Sequence, residues 1–417
     1  MMTALFPSSS ELKPVTAPLS GGRTRASQTV LKLLKRLPKG RLDLQLPDGT
    51  FLPMGQESHS LRAQLTVKDW RVFERVLAAG DIGFAESFIE GQWSTPDLAV
   101  LLNLMIANRQ ALEGVVYGSW WGALLYRLRH VLRRNSRAGS QKNIHAHYDL
   151  GNDFYRLWLD PTMSYSSAWF EGDQSGGLVK AQWAKVDRAL QEAGVHAGSR
   201  VLEVGCGWGG VAERAAQRGA HLVGVTLSRE QLVWAQNRVE RAGCAERCDL
   251  RYQDYRDLPA QYAQQPFDAI VSIEMFEAVG QSYWPGYFDM IKQCLKPGGS
   301  ACIQTITIRD DLFDRYAKST DFIQQYIFPG GLLPSVSQFK RHAAKAGLAV
   351  TNELAFGGDY AETLRRWRAD FLSQDRVVRE QGFDTRFMRT WEFYLAYCEA
   401  AFDQGNTDVL QLTLRHA

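Results

Sequence analysis

No uninterrupted apolar run in the 417 residues approaches the length that a bilayer-spanning helix needs. The first residues, Met1-Met-Thr-Ala-Leu-Phe-Pro7, lack the charged start and apolar core of a secretory leader. Six cysteines, at 206, 244, 248, 294, 302 and 398, follow no secretory disulfide spacing, and Cys244 with Cys248 has no second ligand pair nearby for zinc. The net charge of +3 is too small to argue for nucleic acid, and no internal repeat is visible. These absences lead us to expect a cytoplasmic protein with reduced thiols, soluble or peripheral to the inner face of a membrane.

The most informative segment is Val201-Leu-Glu-Val-Gly-Cys-Gly-Trp-Gly-Gly210, which reads as a buried strand running into a glycine turn that opens a helix. Gly205, Gly207 and Gly210 also satisfy the dinucleotide pattern, so the turn alone does not separate a nicotinamide cofactor from S-adenosylmethionine. The next strand does. A dinucleotide fold wants an acid about 20 residues past the glycines, where this chain offers Thr226 and Ser228, followed by Gln231. Asp254 and Tyr255 after a third strand, Phe267–Ile273 as a fourth, and Leu295-Lys-Pro-Gly-Gly299 before a fifth complete a methyltransferase order. The expected fold is α/β, a class I methyltransferase Rossmann-like sheet with a smaller N-terminal α+β domain.

Composition divides the chain further. Residues 1–22 are rich in Ser, Pro and Gly and read as a disordered tail. Residues 23–112 read as a small lipid-binding-like domain that begins with a hairpin, Arg41 to Leu52 about Pro47-Asp-Gly49. Its first helix carries Lys32, Lys35, Arg36 and Lys39 around Val30, Leu31 and Leu34, which suits an anionic bilayer or a helix packed on its own domain. Residues 113–140, with Trp120, Trp121 and a run of arginines, read as a basic, aromatic linker, and 141–417 as the catalytic domain with an apolar insertion near 310–335. The segment 83–93 lines an acyl chain or caps a small core.

Several motifs then converge. His147-Tyr-Asp-Leu-Gly-Asn-Asp153, Leu159-Asp-Pro-Thr-Met-Ser-Tyr-Ser166, the glycine turn, Met275-Phe-Glu-Ala-Val-Gly280, Tyr326-Ile-Phe-Pro-Gly330 and Asp359-Tyr360 occur in the order found in cyclopropane-fatty-acyl-phospholipid synthases. The chain resembles that family over about residues 40 to 410. The resemblance implies methyl transfer from S-adenosylmethionine to a cis double bond in a phospholipid acyl chain. It implies cofactor contacts from Tyr165, Ser166, Glu203, Gly205, Gly207, Gly209, Thr226, Ser228, Gln231, Asp254 and Tyr255. An alkene is a poor nucleophile, so such a site must hold the methyl in line with the π bond and exclude water. Aromatic faces steady the cationic charge without trapping it, and Tyr148, Tyr165, Trp169, Phe170, Phe276 and Tyr360 are the candidates.

Relatives, by the same resemblance, hold a bicarbonate ion that accepts the departing proton, through a cysteine backbone, a glutamate, a histidine and a tyrosine. Glu277 and Tyr360 match two of these, whereas Ser167 stands for the cysteine and Gln304 for the histidine. Ser167 still offers an amide and Gln304 can donate, but a titratable imidazole is gone, which leaves the bicarbonate open. Glu274 is the alternative to Glu277, and family spacing favours Glu277. His145 and His147 are not read as metal ligands, and no metal is expected. The expected partner is a phospholipid surface, with a homodimer left open. The product is a cyclopropane, or a methyl-branched or methylene chain if the proton leaves elsewhere. A small-molecule methyltransferase and a silent lipid-binding relative are the rival readings.

Overall fold

The computed structural model describes residues 24–57, 61–112 and 150–417. The expected tail, the linker at 113–140, and His145, His147 and Tyr148 lie outside the described residues. Among the described residues no helix is long and apolar enough to cross a membrane.

The chain forms two compact units. The first gathers the described residues up to 112 together with Arg315–Pro329 and Phe371–Gln404. Its sheet has the order β2-β1-β3-β4, from β1 (Arg41–Gln45), β2 (Phe51–Gly55), β3 (Arg62–Val67) and β4 (Trp93–Ser94). The hairpin pairs Leu44 with Leu52 and Arg41 with Gly55 across the Pro-Asp-Gly turn, while β3 runs parallel to β1. Leu42 and Leu44 alternate inward with Asp43 and Gln45 outward, as one buried face requires. The helix Arg25–Leu34 packs on the helix Arg71–Ile89. Val30, Leu31 and Leu34 are buried there, and Lys32, Lys35 and Arg36 stay exposed, so the apolar stripe is spent inside the protein. The segment 83–93 is core: Phe84 and Trp93 stack at 4.2 Å between centroids, and the indole of Trp93 donates to the Phe84 carbonyl at 3.0 Å.

Sequence reading placed everything after residue 141 in one domain, but the apolar insertion and a late helix, Thr385–Asp403, belong to this first unit. Buried chemistry explains it. Phe322 and Tyr397 both donate to Asp81, through the amide and the hydroxyl at 3.4 and 3.1 Å, and Tyr326 donates to Glu86.

The second unit comprises 150–314, Gly330–Asp370 and Gly405–Ala417. Its sheet runs β10-β11-β9-β8-β5-β6-β7. The strands are β5 (Arg200–Val204), β6 (His221–Thr226), β7 (Cys248–Tyr252), β8 (Phe267–Ile273), β9 (Leu295–Ile308), β10 (Leu348–Ala355) and β11 (Thr407–His416). The five strands from β7 to β9 are parallel, and β11 enters antiparallel between β9 and β10. This is the class I methyltransferase Rossmann-like sheet. The order reverses between β5 and β8, which opens a crevice at the carboxyl ends of the strands. One boundary differs from expectation: Leu295-Lys-Pro-Gly-Gly299 is part of β9, because Leu295 already pairs with Phe267 and an irregularity before Ala269 absorbs the extra residues.

Candidate active site

A cavity lies at that reversal. Its wall includes Tyr165, Ser166, Glu203, Gly205, Gly207, Thr226, Gln231 and Tyr255, all expected from the sequence. The glycine turn is held to β6, since the amides of Gly205 and Cys206 both donate to the Val225 carbonyl at 3.0 Å. Gly205 has φ 86°, and a Cβ there would stand 2.9 Å from the Met275 side chain, so glycine alone fits without strain. Glu203 at the end of β5 is buried, and burial pushes its pKa well up. Its Oε2 has no hydrogen-bond partner among the described residues, and neither has Nε2 of Gln253 in the same wall. An acceptor and a donor are thus left for a polar ligand.

Three expected contact residues stand behind the wall instead. Gly209 caps the helix Gly210–Gln217 at φ 82°, where a Cβ would meet Ala235 at 2.9 Å. The Ser228 hydroxyl caps the next helix by accepting from the Gln231 amide at 3.2 Å, which aims Gln231. Asp254 is engaged by Arg256, whose Nε and Nη2 donate to its two oxygens at 2.8 and 2.5 Å. Ser228 and Asp254 each hold a residue of the wall, Gln231 and Arg256.

The second group of site residues meets at one carboxylate. Ser167 N donates to Glu274 Oε1 at 2.9 Å, Gln304 Nε2 donates to the same oxygen at 2.7 Å, and the Tyr360 hydroxyl donates to Oε2 at 2.7 Å. Sequence spacing favoured Glu277 for this place, and the structure puts Glu274 there. The reason is local. Glu274 follows β8 with φ 50°, and its amide is fixed by the Gln304 carbonyl at 2.8 Å, which turns its side chain toward Ser167 and Tyr360. Glu277, on the next short turn, accepts from Ile306 N and from the Thr305 hydroxyl, the latter at 3.0 Å. Its described side-chain hydrogen bonds go to β9, at Thr305 and Ile306.

The donors around Glu274 are themselves held. Gln411 Nε2 donates to Gln304 Oε1 at 3.0 Å across the β9–β11 register, so the amino group of Gln304 must face the carboxylate. The amides of Ala168 and Phe170 donate to Thr363 Oγ1 and Asp359 Oδ2 at 3.2 and 2.7 Å, which ties the Ser167 loop to the helix that carries Tyr360. The Ser167 hydroxyl is spent on the Ala168 carbonyl at 2.9 Å, leaving only its amide for the site.

Electrostatics link the members. Burial raises the Glu274 pKa, opposed by the charge of Lys185 and by the three donors. Burial, then repulsion from Glu274, pushes Glu277 up to about 8. Lys185 is fully buried, donates to Ser166 Oγ at 2.6 Å, and is brought down to about 8 by burial. Sequence reading missed it. The signal was there: Lys185 shares the buried stripe of Ala181 and Ala189 on the helix Leu178–Glu192, a place a lysine takes only with a partner. Gln411 was missed too, because its contact lies 107 residues away in sequence.

Of the aromatic candidates, Tyr165 packs with Tyr155, Trp158 and Trp367 at 5.4 to 5.6 Å, and Tyr360 reaches Trp367. Phe276 is core against Trp284, Tyr287 and Phe339, and Phe170 and Trp169 lie under Arg366 and Arg188.

The comparison with known proteins decides the family. A model of the mycolic acid cyclopropane synthetase family matches residues 135–412. The chain belongs to this family. It is 41% identical to the tuberculostearic acid methyltransferase UfaA1 of Mycobacterium tuberculosis over 82% of this chain and 80% of that protein. It is 34% identical to the cyclopropane-fatty-acyl-phospholipid synthase of Escherichia coli K12 over 85% of this chain and 88% of that one. The solved mycolic acid cyclopropane synthase CmaA1, with SAH and CTAB bound, shares 33% identity, covers 66% of this chain and 97% of its own, and superposes with a TM-score of 0.60. The chain is therefore an S-adenosylmethionine-dependent methyltransferase of fatty acyl chains. S-adenosylmethionine supplies an electrophilic methyl on a sulfonium. The cavity fits it, with Gly205 letting the backbone close in and the spare oxygen of buried Glu203 free to take an N–H.

Proposed function

We propose that this enzyme methylates the cis double bond of an unsaturated acyl chain carried by a membrane phospholipid, working from the cytoplasmic face of the bilayer. The observation that carries the reading is the half-buried carboxylate of Glu274, held by three donors in the cavity wall. Alkene methylation needs no base before the methyl arrives and one proton acceptor afterwards, and this arrangement supplies that. The ring of Tyr165, which lines the cavity, suits the cation formed in between. The phospholipid rests on likeness to the 34% identical E. coli synthase.

For the product we favour an open chain bearing a methylene branch. The cradle of donors that would hold a loose anion is engaged by Glu274, and the 41% identical relative is named a methyltransferase. A cyclopropane is the second reading, supported by the ring synthases among the relatives. The two are isomers, so mass does not separate them. Protein is incubated with methyl-labelled S-adenosylmethionine and vesicles of cis-monounsaturated phospholipid, and the released fatty acids are read by proton NMR. Vinyl protons on labelled chains are expected. Upfield ring protons would establish the cyclopropane, and unlabelled chains would remove the lipid reading.

A further inference from the structure

We propose that Glu274 is a resident proton acceptor for the methylation, built into the place where an added anion would otherwise have to sit; this rests on the acyl-methylation reading above. Three independent donors, an amide, a carboxamide and a phenol, converge on its two oxygens from three different elements. Such convergence is a socket for an anion. The socket's occupant is covalently part of the chain, and it faces the cavity that takes the methyl donor.

The backbone adds a second line of argument. Glu274 is one of three non-glycine residues at positive φ among the described residues, at 50°. That φ lies in the left-handed region that favours glycine, so a side chain there is held under strain. Met163, at φ 52°, is another of the three and lines the same cavity. Strain held at a cavity wall marks a side chain kept for what it does.

The S–CH₃ bond breaks with its electron pair left on sulfur, and the alkene π pair forms the new C–CH₃ bond, leaving a cation on the neighbouring carbon. A hydride shift moves the cation to the methylated carbon. A C–H bond of the new methyl then breaks, its pair forms the methylene double bond, and the proton goes to Glu274. If the C–H pair instead closes a ring before any shift, the proton still goes to Glu274. The carboxylate releases the proton to solvent as the product leaves.

The test uses Glu274→Gln, which keeps shape and loses basicity, and Glu274→Gly, which relaxes the backbone and empties the socket. Methyl transfer to vesicle lipid is measured with and without added formate, acetate or bicarbonate, beside SAH binding and carbon-13 formate binding by NMR. Wild type is expected to be indifferent to added anion. Glu274→Gln is expected to lose turnover by about 10²-fold or more with SAH binding kept. Glu274→Gly is expected to be as slow, to bind formate that wild type does not bind, and to regain at least tenfold with it. A Glu274→Gly enzyme that works at the wild-type rate without anion overturns the proposal, as does one that binds formate and stays inert. Wild-type protein that labels no acyl chain overturns the functional reading and the proton role with it, while formate binding still reports on the socket.

Discussion

Gln304 shows how a single side chain is set by another it shares a rung with. Its amide is ambiguous by itself, since either end could face Glu274. Gln411 removes the ambiguity by donating to Oε1, and Arg188 in turn donates to Gln411 Oε1 at 2.7 Å. At the same scale Gly205 makes a sharp forecast. Gly205→Ala forces an L residue to φ 86° and a methyl to 2.9 Å from Met275, so stability should fall by about 1 to 2 kcal/mol and SAH affinity should weaken at least tenfold. Calorimetric titration with SAH checks it, and unchanged affinity would show that the turn's shape is not what holds the ligand. Glycine, Glu203, Thr226 and Gln231 were legible in sequence because backbone demands write themselves into residue type. The choice of Glu274 over Glu277 was not, since it depends on a backbone angle that no spacing encodes.

Elements were read best where one periodicity dominates. The hairpin and β8 came out at or near their expected bounds, because a local pattern and its turn fix each of them. The start of β9 did not, since Pro297 and Gly298 imitate a turn while the pairing continues through them. The first helix was the evenly balanced case: a basic amphipathic stripe looks the same whether a bilayer or a neighbouring helix covers it. Here the helix Arg71–Ile89 does. Leu31→Ala should accordingly cost about 2 to 5 kcal/mol by denaturant titration. Exposed Lys32→Ala should cost under about 0.5 kcal/mol. A Leu31→Ala protein of unchanged stability that binds anionic vesicles more weakly would return the stripe to the membrane.

The whole molecule carries its own pH signature. Burial raises Asp81 to about 7 with help from the charge of Asp321, burial raises Asp321 itself to about 6, and Glu277 stands at about 8. Each holds a proton when folded that the unfolded chain has released above about pH 4. The folded state therefore binds more protons across this window, and stability falls as pH rises from 5 to 8. Above that, Lys185 acts oppositely, since its depressed pKa of about 8 returns stability as its unfolded counterpart loses a proton. Melting temperatures between pH 5 and 8 should decline, and Glu277→Gln or Asp81→Asn should flatten the slope. Slopes identical to wild type in both variants would place the titrating groups elsewhere.

The late arrival of β11 has a consequence for how the enzyme is made. β10 has no partner but β11, and β9 is left with an open edge until that strand inserts. On a ribosome the glycine turn, β6 and β8 emerge well before Gln411, so the methyl-donor half of the cavity can form while Gln304 still lacks the neighbour that aims it. Closing so distant a pair is slow and leaves a hydrophobic strand edge exposed in the meantime. The strand that carries Gln411, and with it the orientation of Gln304, is thus also the strand that covers the open edge of β9.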